Sequence, residues 1–377
     1  MTIEPFRLAV PEQQLDDLRR RLDLVRWPDE LPGVGWEYGV PRDRLRELVA
    51  YWRDEYDWRE AEARLNEWPQ FVTEIDGTRI HFAHLISPDP DALPLMITHG
   101  WPGSIVEFTE IAGPLLHGDP AFHLILPTIP GFTLSGPTPE PGWEVNRVAR
   151  AFAVLLERLG YGRYGVQGGD WGAAISRELG RIHPDRVVGV HLNLLPGAGA
   201  TTEPTAGELA ALDPAERDRT LASWERMRAW IRGKRGYADL QMTRPQTLAY
   251  ALTDSPVGQL AWIAEKFHEW SDPASVIGTD HLLTNVMLYW LTGTAGSSGR
   301  IYYERAHHGR PMEPSGTPTA LADFAHDNFV PLRHRADRTD NIVRWTTYPD
   351  GGHFAALEQP DVLVADIRAF FAGLPPR

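Results

Sequence analysis

The 377-residue sequence contains no cysteine. That absence excludes a disulfide framework, a thiolate metal site and a cysteine nucleophile, and it leaves the chain compatible with a reducing compartment. Lysine is nearly missing as well, occurring only at 234 and 266. The basic charge is therefore almost all arginine, a bias expected of a GC-rich, bacterial coding sequence. Basic residues form no cluster, and the formal charge of -14 offers a phosphate backbone no attractive field, so nucleic acid is excluded as an expected partner. No stretch approaches the roughly 18 consecutive apolar residues of a spanning helix. The start, MTIEPFRLAVPEQQ, has neither a basic region nor an apolar core of an export signal. The expectation is a chain with no membrane contact, working in the cytoplasm.

What is present is an alternation of patterns. After Pro11, Leu15, Leu18, Leu22 and Val25 recur at helical spacing, and after Pro41 so do Leu45, Leu48, Val49 and Trp52. Near residue 70 the period changes: Phe71 to Ile75 and Arg79 to Leu85 flank Asp76-Gly77, a type I′ hairpin signal. Short apolar runs then alternate with amphipathic stretches. The runs are Leu95 to Thr98, Phe122 to Leu126, Tyr164 to Gln167 and Val187 to Leu192; the helices are expected near 103–116, 144–159 and 172–183. Such alternation predicts an α/β fold with a mostly parallel sheet flanked by helices. From Pro196 to about Thr317 the strand signal gives way to tryptophan-rich helical patterns such as Ser255 to Trp270, which reads as an inserted helical cap. Strand-like Ile342 to Thr347 and a helix near 358–372 restore the rhythm. The expected organisation is an N-terminal segment 1–85 of helices plus the first hairpin, a core in two parts at 86–195 and 317–377, and a cap at 196–316.

The run Tyr164 to Ala174 contains Gly168-Gly169-Asp170-Trp171-Gly172, a strand, a sharp turn and a helix. It matches the small-x-nucleophile-x-small elbow, with Asp170 where serine is usual. A carboxylate opening a carbon–oxygen bond leaves an ester that water can cleave, whereas serine would leave an inert ether, so aspartate argues for attack on an sp³ carbon. The bland alternative is that Asp170 only caps the following helix. His353, in Asp350-Gly351-Gly352-His353-Phe354, follows the last expected strand and is carried to the carboxyl edge of the sheet, where such folds bind ligands. A triad acid should lie between the two, and spacing alone leaves Asp323, Asp327, Asp337, Asp340 and Asp350 open. Asp327 follows strand-like Pro318 to Ala322, from where a loop could return to the histidine. Finally, His99-Gly100-Trp101-Pro102-Gly103-Ser104 links a strand to a helix, where backbone N–H groups can face a developing anion; Pro102 is expected in the cis form.

Several stretches together make the sequence similar to the microsomal-type epoxide hydrolases, among them soluble bacterial and fungal members and insect juvenile hormone epoxide hydrolases. These are Arg26-Trp27-Pro28, Tyr51-Trp52, Tyr56-Asp57-Trp58-Arg59, HGWPGS at 99–104, Ile129-Pro130-Gly131-Phe132, GGDWG at 168–172, DSPVG at 254–258 and GGHFAALEQP at 351–360. The resemblance spans essentially the whole chain and implies the α/β-hydrolase fold. It further implies Asp170 as nucleophile, His353 as base, Asp327 as acid, and the backbone of Trp101 and Trp171 as oxyanion donors. The acid segment Phe324-Ala325-His326-Asp327 departs from the family pattern by having alanine where proline is common. Tyr237 and Tyr302 fall at the family's two epoxide-binding positions, with Tyr303 the neighbouring competitor for the second. Mammalian members of the resembled family add a membrane anchor ahead of the N-terminal segment; none is expected here.

The implied activity converts an epoxide and water to a vicinal diol through an ester on Asp170, with no metal and no organic cofactor. The 14 tryptophans suggest an aromatic-lined cavity and a bulky apolar or aromatic epoxide, in detoxification or secondary metabolism, with a homodimer open. Two other readings carry weight beside it: a haloalkane dehalogenase-like hydrolase, which shares the Asp/His machinery but needs halide-binding N–H donors, and a non-catalytic ligand-binding member of the same fold.

Overall fold

A computed structural model describes residues 2–375; Met1, Pro376 and Arg377, at the ends of the outermost expected segments, lie outside the described residues. Among the described residues nine strands form one sheet: β1 Glu4–Phe6, β2 Gln70–Ile75, β3 Thr78–Leu85, β4 Leu93–Thr98, β5 Phe122–Pro127, β6 Tyr164–Gly168, β7 Val187–Leu192, β8 Ser315–Phe324 and β9 Asp340–Tyr348. Their order is β1-β2-β3-β5-β4-β6-β7-β8-β9. The first three strands and the β3–β5 pairing are antiparallel, and every pairing from β5 to β9 is parallel. All residues of β5 and β6 are buried, as expected of strands covered on both faces. Helices Val145–Arg158 and Asp170–Ile182 pack together on the sheet, as do Thr109–His117 and Pro360–Ala372. Asp76 and Gly77 have φ of 51° and 70°, the left-handed pair that a type I′ hairpin requires.

The strand order reverses at β4, which has β5 on one side and β6 on the other. Chains leaving the carboxyl ends of β4 and β6 therefore diverge and leave a crevice between them. Eight helical stretches between Ala206 and His308 lie between β7 and β8 in the chain and form the cap. The N-terminal helices Glu12–Asp23, Arg42–Asp54 and Trp58–Leu65 brace it. Tyr51 hydroxyl donates to Asp280 at 2.9 Å, Tyr56 hydroxyl pairs with Thr284 at 2.9 Å, and the Trp52 indole N–H points at Met287 sulfur at 3.2 Å. Among the described residues no helix is long and apolar enough to cross a membrane.

Three local expectations need correction. The N-terminal segment is not only helical, since Glu4–Phe6 adds an edge strand whose pairing with residues 70–72 is long-range and leaves no local period. Val25 lies beyond its helix, which ends at Asp23. The helix expected near 103–116 is divided into a 3₁₀ turn, Ile105–Phe108, and an α-helix, Thr109–His117. At the start of that turn the Ser104 hydroxyl accepts the Val106 N–H and its carbonyl accepts the Glu107 N–H at 3.1 Å, a three-residue spacing of the 3₁₀ kind.

Candidate active site

Three loops converge at the carboxyl edge of the sheet, and glycines set how closely. Asp170 opens its helix directly after β6 with φ 48°, a left-handed conformation that a side chain adopts only where its surroundings enforce it. A Cβ on Gly172 would stand 1.9 Å from the Thr98 carbonyl oxygen, and one on Gly100 would stand 2.3 Å from Asp170 Cβ. Only hydrogen at these positions lets the loop after β4 reach the elbow after β6. The Trp101 N–H then donates to Asp170 Oδ1 at 2.9 Å. The Trp101–Pro102 peptide is cis. Trp171 stands in the first turn of the Asp170–Ile182 helix, where backbone N–H groups lack acceptors within the helix.

His353 arrives from the loop after β9. Its backbone N–H donates to the Trp270 carbonyl at 2.9 Å, and its ring meets the edge of the Trp270 ring at 5.0 Å. Asp272 accepts the Gly351 N–H and Glu358 the Gly352 N–H, so two carboxylates clamp the loop. Nδ1 of His353 lies 2.8 Å from Asp327 Oδ1, and Nε2 lies 3.5 Å from Asp170 Oδ2. Burial disfavours the imidazolium, but the Asp327 and Asp170 carboxylates outweigh it and raise the His353 pKa well above its ordinary value. Of the five aspartates open on spacing, the structure brings Asp327 to the histidine. The loop carrying it is tied to the histidine loop by the His326 N–H, which donates to the Gly351 carbonyl at 3.1 Å. Asp323 instead faces Arg219 and Thr347, and Asp340 pairs with Arg177.

The cap lowers two tyrosines onto this centre. Tyr237, in the helix Gly236–Thr243, stacks on Trp101 at 5.3 Å with an interplanar angle of 6°. Tyr302, in the helix Arg300–His308, sets its ring against Trp101 at 5.7 Å and Trp171 at 4.8 Å, edge to face in both cases. The two phenol rings lie 6.0 Å apart. Burial, with the Asp170 charge adding to it, pushes the pKa of both phenols up and holds them protonated. Tyr303 turns away and stacks on His307 at 4.0 Å. Trp262 and Trp270 complete an aromatic surround for Trp101.

Two further side chains beside this centre were not singled out in the sequence. Lys266, buried, holds its ammonium 4.8 Å from the Tyr237 ring centre while paired with Glu265 and Glu269. Glu107 lines the small cavity behind Asp170 and His353. Its only sequence signal is Ser104-x-x-Glu107, the spacing of a capping box.

A strained aspartate elbow at the strand-order reversal, a histidine after the last strand and an inserted cap define an α/β-hydrolase, and residues 94–360 match the family model described as alpha/beta hydrolase fold. Residues 3–108 match the model described as epoxide hydrolase N terminus. The sequence is 35% identical over 393 residues to juvenile hormone epoxide hydrolase 2 of Ctenocephalides felis, covering 97% of this chain and 84% of that protein. Among solved structures it is similar to the juvenile hormone epoxide hydrolase of Bombyx mori, with a TM-score of 0.91, 30% identity and coverage of 99% and 95% of the two chains. It is also similar to the Aspergillus niger epoxide hydrolase, with a TM-score of 0.87, 34% identity and coverage of 100% and 97%. The chain belongs to the epoxide hydrolase family. It is an enzyme whose class acts on small-molecule epoxides.

Proposed function

We propose that this epoxide hydrolase works through an alkyl ester on Asp170. Because Oδ1 is engaged by the Trp101 N–H, Oδ2 is the attacking oxygen. It bonds to an oxirane carbon as the carbon–oxygen bond breaks, and the electron pair passes to the oxirane oxygen, which takes a proton from Tyr237 or Tyr302. In the ester, Oδ1 becomes the carbonyl oxygen and already sits on an oxyanion donor, with the Trp171 N–H as the second. His353, oriented by Asp327, removes a proton from water, and the hydroxide adds to the ester carbon. Collapse expels the diol and returns the carboxylate, and the imidazolium proton restores the phenol through solvent. The aromatic surround of Trp101, Trp171, Trp262 and Trp270 favours a bulky apolar or aromatic epoxide over a small polar one.

The observation that carries this reading is one carboxylate, Asp170, held between a backbone donor and a histidine, beneath two buried phenols. Its test is the covalent intermediate. His353→Gln mixed with styrene oxide should increase the mass of the peptide containing Asp170 by that of the epoxide. No adduct, under conditions where binding is demonstrated, would overturn the ester mechanism.

A further inference from the structure

A cavity of about 20 Å³ lies behind the nucleophile, lined by Asp170, His353, Glu107 and Trp101 among others. That is room for about one water molecule, and a water needs two to four polar partners to remain in such a place. Asp170 and His353 supply two, and Glu107 is the further charged or ionisable side chain of the lining. Glu107 is brought there by the tight turn after the oxyanion loop, and Gly103 leaves it room, since a Cβ there would fall 1.4 Å from Glu107 Oε1.

We infer that Glu107 positions the water that hydrolyses the Asp170 ester, accepting one of its hydrogens while His353 takes the other. The inference rests on the ester mechanism proposed above. A water bound only to His353 can rotate about that single bond; a second acceptor fixes both O–H directions and turns a lone pair toward the ester carbon. A capping role is the competing account, because the Ser104 backbone N–H also interacts with this carboxyl group. One carboxyl has two oxygens, so the two roles are compatible, and only the water-positioning role predicts an effect confined to one chemical step. Burial and the neighbouring Asp170 charge push the Glu107 pKa up to about 8, against the opposing influence of His353. The carboxylate is the form whose second oxygen accepts from the water, and its share grows as pH rises toward that value.

Glu107→Gln keeps the shape of the side chain. With its oxygen drawn to the Ser104 N–H, its NH₂ faces the cavity and donates toward the lone pair that should attack. The experiment is single-turnover quenched flow of the parent and of Glu107→Gln with styrene oxide, with the ester on the Asp170 peptide quantified by mass spectrometry over time. Thermal melting by circular dichroism checks that the variant is folded, and Glu107→Met, which offers the water no acceptor oxygen, replaces it if it is not. The expected result is ester formation within about twofold of the parent and ester breakdown slowed at least tenfold, so that the ester accumulates. Breakdown at the parent rate, or formation falling in step with breakdown, would overturn the inference. Were the parent itself to form no ester, the mechanism beneath would fall; a normal ester in the parent with unchanged breakdown in the variant removes only the role of Glu107.

Discussion

Nε2 of His353 stands 3.5 Å from Oδ2 of Asp170, so the base and the nucleophile of the proposed mechanism face each other directly, and this proximity favours the imidazolium. A protonated histidine cannot take a proton from water. Esterification removes the Asp170 charge, and with it one of the two carboxylate influences that raise the His353 pKa against burial. The first step thereby prepares the base for the second.

This coupling predicts that Asp170→Asn lowers the His353 pKa, measured by NMR titration of the imidazole. The stability consequence has a definite sign. Because the folded pKa lies above the ordinary 6.5, the imidazolium contribution is complete below about pH 6.5 and is lost as pH rises through the folded value. In Asp170→Asn the loss should begin at lower pH. An imidazole pKa unchanged by the substitution would contradict the coupling.

The choice of acid is tested by ranking two neutralisations. Asp327 contacts Nδ1 of His353 at 2.8 Å, whereas Asp323 is engaged by Arg219 and Thr347. Asp327→Asn should slow ester breakdown by orders of magnitude, up to the roughly 10⁴-fold loss seen when a triad loses its orienting acid. Asp323→Asn should cost far less in rate. The reverse ranking would transfer the role to Asp323.

For the phenols, Tyr237→Phe and Tyr302→Phe should each raise the alkylation barrier by roughly 2–4 kcal/mol, the worth of one preorganised donor to a developing oxyanion. The double variant should be nearly inactive, with ester breakdown little altered in either single variant. Tyr303→Phe, whose ring stacks on His307, serves as the control and should match the parent. Single-turnover kinetics separate the steps, and damage from Tyr303→Phe with a silent Tyr302→Phe would shift the assignment by one residue.

The elbow makes a stability prediction. Gly172→Ala forces a Cβ to within 1.9 Å of the Thr98 carbonyl, where backbone must move, while Gly162 has open space around it. Gly172→Ala should lose at least about 1–3 kcal/mol by denaturant unfolding, the cost of an overpacked site. Gly162→Ala should change little. Equal stability of the two variants would show that the strand–helix approach tolerates a methyl group.

Much of the sheet was legible because its signals are local. Val187–Leu192 and Phe122–Pro127 are apolar runs bounded by polar turns, and Asp76-Gly77 specifies its own hairpin through backbone conformation. The edge strand Glu4–Phe6 was not, because its partner is more than sixty residues away and three residues establish no period. Glu107 was not legible for a related reason: in sequence it completes a capping spacing, and its place beside the nucleophile cavity depends on a tertiary approach with room left by Gly103.

The sequence by itself determined the α/β alternation, the glycine-flanked Asp170 and the loop carrying His353, since each depends on neighbours within a few residues. Spacing left open which aspartate meets the histidine and which tyrosine meets Trp101; the motif resemblance pointed to Asp327 and Tyr302, and the contacts themselves exist only in the tertiary structure. Asp323 and Asp327 are separated by the end of β8, and the loop's hydrogen bond to Gly351 brings the second to Nδ1. Tyr302 and Tyr303 differ by about 100° of helix rotation, and that phase is set by how the cap packs on the core. Loop closure and helix phase are products of contacts between distant segments, and a residue's identity and sequence spacing carry no record of either.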